Sequence, residues 1–491
     1  MSCHANTGHV YWPGKTPASR TGHAPDSRRC LSVVLAAALA SLAAGCADLA
    51  GPDYQRPDIP AKSDWISGHP VSPAETIRPD WWTEFKDPYL NKLIEESIAG
   101  GPDLQILAAR TNVAAVAVGA EKDTTKPRLS STISTEYQRQ GSGPVTKQES
   151  TQQTMNWEID IWGKAKKGLA AKKAEYKASE ADYRAGYLTL VSDVANAYFE
   201  IRQLDEQMVA QHESLENAER ILAIYEAQFA EELVPKTKLL SQQAEVLGLR
   251  RQLLDQQRQR IATENSLATL LGKPAGEFSV PVKSLSTSVD SLDVPAGLPS
   301  DLVSRRPDII AQEYRVLAAY NLVGQARLAR LPSFSLTASA GTASSAFADI
   351  LQAWTFGLGR SITIPIFDPS IQSTIKSSEA NQQAAEAEYR RTVIKAFEEV
   401  ETALNNLASR KAQRELLLRQ VDDLTVVQKQ VVARLREGFA TQLEIFEAER
   451  TLLSTKLELL SNQKQILSDT IQLYKALGGG WPKEDVSQAA L

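Results

Sequence analysis

The chain contains two copies of one large unit, and this duplication constrains its fold more than any other feature. "GPDLQILAARTNVAAVAVGAEKDTTKPRLSST" (101–132) aligns with "RPDIIAQEYRVLAAYNLVGQARLARLPSFSLT" (306–337). Pro102 matches Pro307, Arg110 matches Arg315 and Pro127 matches Pro332, and Ile161 keeps the same offset with Ile366. Tyr183 pairs with Tyr389 one residue further on, as does Leu271-Gly272 with Leu477-Gly478. A period this long rules out a solenoid of small repeats, so each copy is a fold unit of its own.

Each copy reads in the same order. A helix near 89–123, and again near 301–330, ends at a proline that opens a strand. Strand pairs follow, 127–139 with 150–162 and 332–342 with 354–367. Long helices come next, over about 164–231 and 371–437. The second has neither Gly nor Pro between Pro369 and Gly438. Turns near Val234-Pro235 and Gly438 lead to returning helices that end at Gly272 and Gly478. Leu417, Val421, Leu424, Val431 and Leu435 step by three, four or seven, the spacing of coiled-coil packing.

The strands alternate with period two. Leu129, Ile133 and Tyr137 share a face in the first, and Met155, Trp157 and Ile159 in the second. Phe334 and Leu336 align in the third, and Trp354, Phe356, Ile362 and Ile364 in the fourth. Runs of about 10 residues with aromatics near their ends match lipid-facing barrel strands. Arg360 falls on the apolar face, which a bulge at Gly359 or a headgroup position would accommodate. Four strands cannot close a barrel in lipid, because open edges leave backbone groups unpaired. Closure therefore requires several chains.

Before Cys46 stands "LSVVLAAALASLAAG", preceded by Arg28 and Arg29, the layout of a secretory leader. "SLAAGC" is similar to a lipoprotein processing box, with Cys46 as the acylated (palmitate-bearing) first residue of the mature chain. Residues 1 to about 27 resemble no signal and point to a later start. The expected parts are a leader (1–45), a lipid-anchored segment (46–88), two repeats (89–290 and 291–481) and a tail (482–491). A net charge of −5 offers no nucleic-acid surface. His4, His9, His23, His69 and His212 form no cluster, and neither metal-ligand spacing nor a phosphate loop is present. An enzyme is not expected, nor any cofactor beyond lipid on Cys46.

The chain resembles outer-membrane factors of the TolC type, in the NodT/OprM-like lipoprotein branch. The signatures are "GPDYQRP" (51–57), "PDWWTEFKDPYLNKLI" (79–94), "LPSDLVSRRPDI" (298–309) and "LYKALGGGW" (473–481). The resemblance implies a mixed α and β fold, with coiled-coil helices below a homotrimeric 12-stranded barrel. It also implies a periplasmic adaptor and an inner-membrane pump, of the resistance-nodulation-division type, as partners in efflux. Glu444 and Glu447 fall on the family's acidic gate positions, where Asp is more usual, and Lys238 is the first-copy equivalent of Glu444. A Lys238–Glu444 or Lys238–Glu447 pair would lock the closed state. Rival readings are a duct for protein or peptide secretion and a lipid-anchored coiled-coil scaffold.

Overall fold

The computed structural model describes residues 54–59, 65, 77–285, 294, 299–344, 354–437 and 439–480, all within the unit Gly51–Leu491. Cys46, the leader and the tail 482–491 lie outside the described residues. In chain order the elements are α1 (Pro88–Gly100), α2 (Pro102–Thr124), β1 (Arg128–Arg139), β2 (Val145–Ile159), α3 (Lys164–Ala230) and α4 (Lys236–Leu270). The second copy gives α5 (Pro299–Arg305), α6 (Pro307–Leu328), β3 (Ser333–Ser344), β4 (Trp354–Thr363), α7 (Pro369–Arg436) and α8 (Gln442–Ala476). With 67 and 68 residues, α3 and α7 each extend roughly 100 Å. Along its length α3 packs on α1, α2, α4, α6 and α8, while α7 packs on α6 and α8.

The helix expected over 89–123 is two helices, and so is the one over 301–330. Each breaks where the repeat places Pro102 and Pro307 at the first helical position. The residues before them, Gly101 and Arg306, are extended, as a following proline requires. The breaks are meeting points. A Cβ on Gly272, just past α4, would come 2.5 Å from the Gly100 carbonyl, and one on Gly478, past α8, 3.1 Å from that of Arg305. Both glycines are left-handed, with φ of 69° and 88°. In each, the glycine N–H bonds back to the third residue before it (Thr269 or Lys475), and the next N–H reaches Ala268 or Tyr474. That pattern closes a helix only around a residue free to take positive φ. Short helices thus stack end to end beside each long one.

The signature segments meet in the core at this level. Trp81 stacks on Tyr474 with ring centroids 4.9 Å apart. Asp87 caps α1 through Tyr89 N–H and accepts from the Tyr198 hydroxyl at 2.6 Å. Buried Arg306 donates to Asp308, to Glu399 on α7 and to the Ala476 carbonyl at the end of α8. Burial pushes the Asp308 carboxyl up, but the Arg306 guanidinium outweighs it and the net direction is down.

The strands form one antiparallel sheet in the order β1-β2-β3-β4. β2 starts at Val145, five residues earlier than expected, because the polar stretch Val145–Ser150 continues the ladder opposite Ser134–Arg139. β4 ends at Thr363, so Ile364 lies just past the sheet. The bulge expected at Gly359 is absent: Gly359 faces Thr337, and Arg360 faces Leu336 in unbroken register.

Candidate functional site

The sheet has two faces of opposite character. Register aligns Leu129, Met155, Ala338 and Leu358 across all four strands, and Ile159, Phe334 and Ile362 across three. Trp157 and Leu336 occupy the row between these, and Ile133 and Trp354 share a row further along. Phe356 lies between the Trp354 and Leu358 rows, and Tyr137 lies opposite Lys147. Apart from Ile364, which lies past the sheet, every residue expected to face lipid is on one face. Phe356 is 79% exposed and Leu129 75%. Bare apolar area of that size marks a surface that contacts something other than water. Among the described residues no helix is long and apolar enough to cross a membrane.

The opposite face is polar. Ser134 and Ser150 hydroxyls bond at 2.8 Å, Thr337 donates to Asn156 at 3.0 Å, and Ser335 meets Ser361 at 2.7 Å. Small hydroxyl and amide groups in rows, with Arg128, Glu136 and Glu158 among them, give a wall that wets easily. Among the described residues β1 and β4 are both unpaired at their outer edges, so the sheet is open and its edge backbone can be satisfied in lipid only by further strands.

At the other end the long helices turn back. Between α3 and α4, Glu232 takes the left-handed conformation with φ 56°. The equivalent position in the second copy is Gly438. Each turn bares an apolar side chain at an equivalent position, Leu233 at 73% and Phe439 at 72% exposure. Thr441 caps α8: its hydroxyl accepts from the Glu444 N–H at 3.3 Å, while the Glu444 carboxylate accepts from the Thr441 N–H at 3.1 Å. This reciprocal box fixes Glu444 locally, a cap missed at the sequence level although the Thr-x-x-Glu spacing is its signal. The Thr441 backbone N–H and hydroxyl hold the Glu444 carboxyl below the usual carboxylate range.

The remaining gate residues are placed differently from one another. Glu447 is exposed one turn further along α8, and among the described residues it has no ion pair. Lys238 does not meet Glu444 or Glu447 within the chain. Its ammonium lies over the Tyr225 ring, 5.2 Å from the centroid. Lys238 lies on α4 and the two acids on α8, and α8 packs on α3 rather than on α4, so these equivalent positions are not neighbours in one protomer. Among the described residues no cluster of His, Cys, Asp and Glu could hold a metal ion.

The segment that follows Cys46 is strapped along α6. The Tyr54 ring meets Tyr320 edge-on and its hydroxyl donates to Glu313 at 2.9 Å. Arg56 grips the buried Glu313 carboxylate with two bonds, at 2.7 and 3.0 Å, and the Asp58 carbonyl accepts from Arg390. Passing from Arg56 back to Tyr54, the chain climbs α6 toward the sheet.

A family model described as "Outer membrane efflux protein" matches residues 93–273 and 298–479. The chain belongs to that family. As an outer membrane efflux protein it is 31% identical over 483 residues to the toluene efflux pump outer membrane protein TtgC of Pseudomonas putida, covering 92% of this chain and 96% of the relative. It is 29% identical over 440 residues to the cation efflux system protein CusC of Escherichia coli O6:H1, covering 88% and 95%. Among solved structures, the outer-membrane channel OprN superposes with a TM-score of 0.78 at 26% identity, covering 88% of this chain and 99% of that one. The open-edged sheet is accordingly part of the outer-membrane channel of an efflux protein.

Proposed function

We propose that this efflux protein is the exit duct of a tripartite efflux system. It passes small molecules such as drugs from an inner-membrane pump and a periplasmic adaptor to the exterior. Three protomers supply twelve strands and close the barrel, with the polar rows lining the lumen. The observation that carries this reading is the two-faced sheet with two free edges. The bare Leu233 and Phe439 at the hairpin tips offer matching apolar contacts for the adaptor.

Cys46 is the proposed lipid attachment. Eight chain steps lead from it to Tyr54, a span of at most about 28 Å. Tyr54 is held at Tyr320, about 12 Å below the top of α6.

The proposed gate is the ring formed by Glu444 and Glu447 from three chains, with Lys238 of a neighbouring protomer as counter-charge. Glu447 is the better probe, since Glu444 also holds a helix cap. In planar bilayers Glu447→Gln is expected to lower the permeability of cations relative to anions, with assembly unchanged. Unaltered ion selectivity would remove Glu447 from the gate. Drug susceptibility of cells carrying or lacking the protein tests the duct itself.

A further inference from the structure

Arg360 is the one charged residue of β4. It lies between Leu358 and Ile362 on the apolar face, opposite Leu336 and in the row of Trp157. Its side chain is exposed, and it has neither an ion pair nor a hydrogen bond from its side chain among the described residues. Because β4 is an edge strand, closure of the barrel sets β1 of a neighbouring protomer beside it. The side chains β1 contributes to that face are Leu129, Ser131, Ile133, Thr135, Tyr137 and Arg139. None is acidic. Glu136 lies on the opposite face, and any register that brought it outward would turn Leu129, Ile133 and Tyr137 into the lumen. No strand side chain beside Arg360 on that face is an acid, and an anion of the bilayer fits the place.

Its depth indicates the source. Arg360 stands three residues from the strand end at Thr363, about 10 Å along the strand and about 7 Å in height at barrel tilt. At the same level the Trp157 indole donates to the Thr125 carbonyl at 2.9 Å, and Trp162 below it donates to that of Pro332 at 2.7 Å. Indoles with one apolar side and one bonded N–H sit at membrane interfaces. This end of the sheet joins the helices, so the interface is the periplasmic leaflet. A long guanidinium side chain there turns toward the headgroups and pairs with phosphate in a two-bond fork.

Resting on the trimeric barrel reading, we propose that Arg360 binds an anionic phospholipid of the periplasmic leaflet, one per protomer. The guanidinium takes the phosphate, and Leu336, Leu358 and Ile362 line the acyl chains.

Native mass spectrometry of the full chain, released from nanodiscs of phosphatidylglycerol mixed with phosphatidylcholine, reads assembly and bound lipid together. Wild-type trimers are expected to retain phosphatidylglycerol above its bulk share, Arg360→Gln trimers only at that share, and Arg360→Lys trimers most of the excess. Equal retention by wild type and Arg360→Gln, or no excess in wild type, overturns the lipid site. An absence of trimers in wild type overturns the barrel reading instead. If Arg360→Gln does not assemble, wild-type Tm decides: a higher value in phosphatidylglycerol than in pure phosphatidylcholine nanodiscs upholds the site, and equal values overturn it.

Discussion

Glu444 shows how one carboxylate serves two ends. Its oxygen closes a capping box with Thr441, and that same bonding keeps it ionised at the hairpin tip. A carboxyl whose folded pKa is depressed adds stability above its unfolded pKa and loses it as pH falls through the lowered value. The α8 tip should therefore hold at neutral pH and fray in acid, seen as loss of exchange protection at the Thr441 and Glu444 amides. Thr441→Ala removes the cap acceptor while leaving the carboxylate, and should weaken the tip by about 1 kcal/mol at neutral pH. Exchange rates unchanged by that substitution would show that the box contributes nothing. The Thr-x-x-Glu spacing is a signal for this box that the reading of the sequence passed over. The Lys238–Tyr225 contact was not readable, because it depends on how α3 and α4 pack side by side.

At the scale of elements, the repeat was legible wherever a residue has one dominant local effect. Prolines open strands, glycines end helices, and alternation marks which face is apolar. Pro102 and Pro307 identified the duplication, yet their second consequence, a helix break facing the end of another helix, needed the fold. The Arg306 clamp on Asp308, Glu399 and the Ala476 carbonyl joins three elements distant in sequence, and no local signal announces it. The first copy has Gly101 at the equivalent place, where a Cβ would lie 2.4 Å from the Ser97 carbonyl. Gly272→Ala tests the end-to-end stacking: left-handed strain and the Gly100 carbonyl together should cost about 2 kcal/mol or more. Thermal unfolding of the detergent-solubilised protein reads it. A Tm equal to wild type would mean that α1 and α4 are not held at close approach.

At the scale of the whole molecule, the single chain is an unfinished object. Among the described residues one sheet face bares Leu129, Ile133, Tyr137, Trp354, Phe356, Leu358 and Ile362, both sheet edges are open, and the hairpin tips carry exposed Leu233 and Phe439. Composition could not reveal this, since exposed apolar strands and buried ones have the same alternation. What distinguished them was the lack of any layer to cover the strand face. A closed barrel requires that sheet to be one third of its wall. The most direct test is the native mass of the mature chain extracted in detergent. The account predicts three copies in one particle, stable on dilution and lost when 128–159 is deleted. A chain that remains monomeric, and stays soluble once detergent is withdrawn, would contradict it.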